Sequence, residues 1–159
     1  MPSLLPLTTP PQRMGPRAFR STRTGDAFVA GAPNRDMVIE VNLSNLTAAA
    51  GEECGFSYRR LTSGLDFWAV YVDTGDNLLH LSRFAGTTEY SMATAAWTYS
   101  ATAELRGIVQ AKRHRVWVDG VQRIDFTDDG ALNDGKGAGM FSRNATAVLF
   151  DELYAEGLS

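Results

Sequence analysis

Residues 103–126 read AELRGIVQAKRHRVWVDGVQRIDF, and this stretch decides the fold. Ile108 and Val109 belong to a short apolar run. Val116 and Val118 then alternate with Arg115 and Trp117, the two-residue period of a strand with one buried face. Asp119-Gly120 follows. Both central residues of the tightest hairpin turn need positive φ, which Gly adopts freely and Asp tolerates. The chain returns through VQRIDF (121–126), so the stretch holds a hairpin preceded by a third strand. It also holds a conflict. Tight pairing across the turn sets Val116, Val118 and Val121 on one face, with Ile124 and Phe126 on the other. Either one bulge shifts the register, or both faces are covered.

The same texture begins near Asp26. Ala27–Ala30 is a short apolar run ended by Gly-Ala-Pro-Asn. MVIEVNL (37–43) alternates, and GFSYRR (55–60) sets Phe56 and Tyr58 on one face. DFWAVYVD (66–73) alternates Trp68, Val70 and Val72 against Phe67, Ala69 and Tyr71, so it is apolar on both. Further strands are expected over Leu78–Phe84, Glu89–Ala93, Gly137–Ser142 and Ala147–Tyr154. Turn signals fall every ~8–12 residues. No stretch supports a helix of three turns; Leu46–Glu53 has room for one short turn. The expected architecture is all-β, a two-sheet antiparallel sandwich over 24–159.

Hydrophobic residues make up 44% of the 159 and charged residues 21%, the balance of a globular domain with a real core. No apolar run approaches the ~20 residues of a membrane-spanning helix, so no membrane insertion is expected. The single Cys54 excludes an internal disulfide and a thiolate metal cluster, and reads as a small buried apolar residue. Net charge is −3 and unevenly spread. From Asp119 onward eight acids face Arg123, Lys136 and Arg143, which argues against nucleic acid as a partner.

Residues 1–23 differ from the rest. They hold five of the six prolines, four cations (Arg13, Arg17, Arg20 and Arg23) and no acid. The prolines fix φ and remove donors, which opposes a helix or a central strand. The order of a secretory signal is lacking. Two readings stay open: a disordered tail, or an extended assembly arm that orders against a neighbouring subunit.

Several runs carry a family resemblance. GFSYRR followed by DFWAVYV, then NLLHLSRF (77–84), RVWVDGVQRIDFTD (115–128) and GAGMFSRNATAVLFDELYAEG (137–157) stand in a specific order. That order resembles the concanavalin A-like lectin/glucanase superfamily, in its laminin-G-like and keto-disaccharide-hydrolase-like branches. The resemblance spans about residues 26–157 and implies a jelly-roll sandwich. It also implies that FDELYAE (150–156) returns beside the first strands, near Ala27–Leu43. One departure is TYSATAELRGI (98–108), where the family's Gly/Trp entry into the strand is replaced and Trp97 lies upstream.

A catalytic constellation is not evident. Glycosidases of this superfamily carry E-x-D-x-x-E on one strand, flanking the scissile bond. The nearest set is Asp151, Glu152 and Glu156, read as solvent-facing acids. No G-x-S-x-G or H-E-x-x-H is present, and His80 and His114 stand alone on strands. Calcium is the one metal with candidate ligands, in Asp125, Asp128, Asp129, Asn133 and Asp134, or in Asp73, Asp76 and Asn77. The helix–loop–helix pattern fails because its twelfth position would be Lys136. Acid-rich turns need no metal, so no cofactor is expected. Sequons at Asn42, Asn45 and Asn144 read as chance.

Sugar recognition needs ring faces beside planar polar groups. Trp117, Tyr71 and Trp97, with Arg59, His80 and Arg83, are the candidates, and Phe67 joins them as a contact residue. The leading expectation is a non-enzymatic binding and assembly module. It would be a tailed-phage virion protein of the head surface or tail apparatus, homo-oligomeric and contacting protein neighbours. A stand-alone lectin, cytoplasmic or exported, is the alternative, and a minimal glycoside hydrolase the third.

Overall fold

The computed structural model describes residues 12–14, 17–18, 25–29, 35–48, 51–61, 66–130, 135, 137–145 and 147–158. Among these the regular structure is all strand. The strands are β1 (Gln12–Met14), β2 (Arg17–Ala18), β3 (Gly25–Val29), β4 (Met37–Ser44), β5 (Glu53–Arg60), β6 (Phe67–Asp73) and β7 (Leu78–Ala85). They continue as β8 (Thr88–Ala96), β9 (Ala103–Gln110), β10 (Arg113–Val118), β11 (Val121–Thr127), β12 (Gly137–Arg143) and β13 (Leu149–Gly157). One sheet runs β13-β4-β9-β10-β11, with β1 and β2 both paired along the other side of β13. The second runs β3-β12-β5-β6-β7-β8. The pairings are antiparallel, and the two sheets form the expected sandwich.

β13 pairs with β4 as FDELYAE is expected to, but β3 joins β12 in the opposite sheet. Within the stretch read as an arm, Gln12–Met14 lie opposite Ala155–Leu153 and Arg17 opposite Phe150. These edge positions, with one paired side, suit a proline-punctuated segment. The backbones of Arg13 and Arg17 therefore run along this chain's own sheet. Arg20 and Arg23 lie outside the described residues.

The core fills from one phase of each strand. β4 buries Met37, Ile39, Val41 and Leu43; β9 buries Leu105 and Val109. Phe56, Tyr58, Trp68, Val70 and Leu81 meet them from the second sheet. Gly107 occupies the core phase of β9 because the Phe56 ring lies over it: a Cβ there would sit 2.7 Å from Phe56 Cζ. His114 is among the buried polar residues. His114 Nδ1 of β10 shares a hydrogen bond with the Tyr58 hydroxyl at 2.6 Å, and its ring centroid lies 4.2 Å from that of Trp68. Burial, then the Arg59 charge, pushes its pKa down to about 3, so the imidazole is neutral.

The hairpin conflict resolves as a bulge. Asp119 and Gly120 have φ of 49° and 78°, as the turn requires. Trp117 faces Gln122 and Val116 faces Ile124, leaving Arg123 as the extra residue. Ile124 therefore enters the core and Phe126 packs against it, while Val121 beside the turn is half exposed. Ile124 and Phe126 are thus no contact surface, contrary to the unbulged register.

β6 is buried on both faces. Phe67, Ala69 and Tyr71 form a second cluster with Phe84 and Phe141 on the outer face of the second sheet. The Phe67 and Phe84 rings stack at 4.6 Å. The Arg143 guanidinium lies 5.8 Å from the Tyr71 ring centroid and 5.9 Å from that of Phe84, and pairs with Glu53 and Glu89. Phe67 and Tyr71 are packing residues, not the contact surface expected of them.

Candidate functional site

The outer face of the first sheet is polar and open. The off-core phase carries Val38, Glu40 and Asn42 on β4, Glu104, Arg106 and Ile108 on β9, and Arg115 and Trp117 on β10. On β13 a bulge at Asp151 leaves Phe150 opposite Leu43 in the core and Glu152 opposite Asn42 outside. Glu152, Tyr154 and Glu156 then share the outer face.

Register turns these scattered positions into rows. Tyr154 is opposite Glu40, Glu40 opposite Arg106, Arg106 opposite Trp117, and Trp117 opposite Gln122. The row crosses five neighbouring strands of the sheet, from β13 to β11. Glu152, Asn42 and Glu104 form a second row beside it. Between them lies a groove of about 470 Å³ lined by Val38, Glu40, Asn42, Glu104, Arg106, Glu152, Tyr154 and Glu156.

Its polar groups are held in place. Arg106 Nε is 3.1 Å from Glu40 Oε1, and the Tyr154 hydroxyl donates to Glu156. The Trp117 ring is flanked by guanidinium carbons of Arg106 at 5.9 Å and Arg115 at 6.0 Å. Arg115 is oriented by donating to Gln110 Oε1 at 2.6 Å. Farther along β10, Arg113 grips both oxygens of Asp125, at 2.8 and 2.6 Å. That hydrogen bonding holds the Asp125 carboxyl below the usual range. An aromatic ring set beside acceptors and guanidiniums can hold a sugar ring by its C–H face and its hydroxyls by hydrogen bonds.

Of the residues expected to form a ligand surface, the groove region contains Trp117 alone. Trp97 is buried in the core, edge-on to Tyr99. Arg59 is 2% exposed, donating to the Arg35 and Ala111 carbonyls and pairing with Asp36. His80 stacks on Tyr71 with ring centroids 4.9 Å apart. Arg83 is exposed, but on β7 of the other sheet. These side chains are absorbed by packing because aromatic and guanidinium groups also serve as core and staple. Glu40, Glu104, Asn42, Arg106 and Tyr154 were missed, while Glu152 and Glu156 were read only as solvent-facing acids. Their shared signal is that each sits in the polar phase of an alternating strand.

The two loops weighed for calcium differ. Asp73, Asp76 and His80 have ligand atoms within 4.8 Å of one another, with His80 Nε2 2.9 Å from Asp76 Oδ2. One oxygen of each Asp already accepts a turn amide, from Gly75 at 2.7 Å and Leu78 at 2.9 Å. In the other loop Asp125 is taken by Arg113 and Asp128 accepts from the Gly130 amide at 3.0 Å. Asn133 and Asp134 lie outside the described residues. Among the described residues no helix is long and apolar enough to cross a membrane.

The fold is an antiparallel two-sheet β-sandwich, and it is shared by solved structures of low sequence identity. Among solved structures, the carbohydrate-binding module CBM66 of Bacillus subtilis is similar with a TM-score of 0.56 at 14% identity. That likeness covers 90% of this chain and 80% of that one. Galectin LEC-6 of Caenorhabditis elegans gives a TM-score of 0.63 at 12% identity, covering 89% of this chain and 96% of the galectin. The beta-fructofuranosidase of Aspergillus kawachii, complexed with glycerol, gives 0.69 at 12% identity. There 94% of this chain matches 27% of the enzyme's length. No protein-family model matches the chain, and no curated protein sequence does.

Proposed function

We propose that this chain is a non-catalytic carbohydrate-binding module whose ligand lies on the outer face of the sheet β13-β4-β9-β10-β11. The observation that carries this reading is the cross-strand row Tyr154–Glu40–Arg106–Trp117–Gln122 above an open groove. Two of the similar folds are a carbohydrate-binding module and a galectin, which supports it. The test is a glycan array probed with the full chain and with Trp117→Ala. Retention of a glycan by the wild type, lost at least tenfold in the variant, is the expected result. A catalytic role for β13 is tested separately: Glu152→Gln and Glu156→Gln abolishing a measured glycosidase activity would overturn the non-catalytic reading.

A second reading is a component of a larger assembly, such as a phage head or tail structure at the virion surface. Tyr90 on β8 and Val121 on β11, each 51% exposed, favour it. Both strands end their sheets, and such edges invite protein neighbours. Light scattering after size exclusion decides: a monomer at all concentrations removes this reading.

A further inference from the structure

The outer face does not stop at β13, because β1 pairs along its far side. We infer that β1 completes the ligand face and that Arg13 is a further binding residue, donating to neighbouring oxygens of a sugar seated at Tyr154. This rests on the carbohydrate reading above and adds a sixth strand to its site.

Register is the first ground. Arg13 lies opposite Tyr154, so the row continues as Arg13–Tyr154–Glu40–Arg106–Trp117–Gln122. Directly opposed residues of an antiparallel pair share a face, and successive residues of a strand alternate. Leu153 and Ala155 are core residues, so Met14 and Gln12 opposite them take the inner phase and Arg13 the outer. Arg17 does not share that placement. It lies opposite Phe150, which belongs to the core.

The far end of the row is the second ground. Arg106 stands opposite Trp117, one strand across, and its guanidinium carbon lies 5.9 Å from the ring centroid. Arg13 stands in the same register relation to Tyr154. Each aromatic residue of the row thus has an arginine directly opposite. A ring carries the C–H face of a sugar, while a guanidinium offers five N–H donors in a fixed fork that spans two adjacent oxygens. Hydroxyl and ring oxygens both accept, so the pairing suits a glycan whatever its net charge. The positions diagonal to Arg13 on β13 are Glu152 and Glu156, ~7–8 Å away in an antiparallel pair. An arginine engaged by those carboxylates alone is indifferent to ligand, and the variants below separate the two roles.

The experiment probes a glycan array with the full chain, then titrates a retained neutral oligosaccharide against the wild type, Arg13→Ala and Arg17→Ala. Arg13→Ala should bind at least about tenfold weaker, the scale of a lost charge-assisted hydrogen bond, with its thermal midpoint unchanged. Arg17→Ala removes the same charge from the same segment, but from the inner phase, and should bind within about twofold of the wild type. Undiminished binding by Arg13→Ala overturns this inference and leaves the carbohydrate reading intact. So does an equal loss in Arg17→Ala, or a loss in Arg13→Ala that follows a fall in its thermal midpoint. Retention of no glycan by the wild type overturns both.

Discussion

Phe67, Ala69 and Tyr71 on the outer face of β6 are buried with Phe84 and Phe141, whereas Glu104 and Arg106 on the outer face of β9 are exposed. Both strands sit inside their sheets and bury the opposite phase in the same core. The difference lies in the second phase alone. Where it is aromatic, the outer face is consumed by packing; where it is charged, the face stays open for a ligand. Counting aromatics as candidate platforms therefore draws in rings of β6 that packing has consumed. Trp117 and Tyr154, whose register neighbours include charged residues, stand on the open face.

The comparison can be broken most forcefully at Phe141, fully buried in the outer cluster against Phe67, Tyr71 and Phe84. Phe141→Ala should cost about 3–5 kcal/mol in urea unfolding. A loss below about 1 kcal/mol would mean that the outer cluster contributes nothing to the fold, and the contrast fails.

β10 offers a sharper version, since His114 faces the core between the outward Arg113 and Arg115. Its folded pKa of about 3 is depressed from 6.5, so the unfolded chain binds the proton first. The contribution is complete above pH 6.5 and is lost as pH falls, at about 1.4 kcal/mol per pH unit. Unfolding midpoints between pH 6.5 and 5 should drop accordingly, by ~2 kcal/mol in all, and the slope should flatten in His114→Gln.

Gly107→Ala adds a methyl on the core side of β9 and should cost about 1–3 kcal/mol. Glycan retention, measured well below the melting temperature, should be unchanged, because Arg106 and Ile108 still face outward. Trp117→Ala is the mirror image. Stability should move by about 0.5 kcal/mol or less, while retention is lost.

Much of the fold was legible in the chain. The alternation of 37–43 and 115–118 and the Asp119-Gly120 turn mark the sandwich because period and turn chemistry are local. The double-sided apolar pattern of 66–73 also marked a strand needing cover on its second face, by a loop, the N-terminal segment or a partner, but not the aromatic cluster with Phe84 and Phe141 found there. What was illegible is non-local. Tyr154 meets Glu40 only through the β13–β4 register, and nothing in either segment names the other. The bulge at Asp151 was hidden, since a skipped residue leaves no mark in composition, whereas the one in β11 showed as a phase conflict that left a covered second face as the alternative. Without them Ile124, Phe126 and Glu152 fall on the wrong faces.

Arg123 thus marks a shift that its exposed side chain does not suggest. A strand keeps odd–even parity from its turn to its end, and this one residue inverts that parity midway along β11. Deleting it would set Gln122 beside Ile124, still opposite Trp117 and Val116, and so remove the bulge while keeping both faces. The position should therefore accept nearly any side chain and even its own loss, because the faces beyond it are set by pairing and not by count.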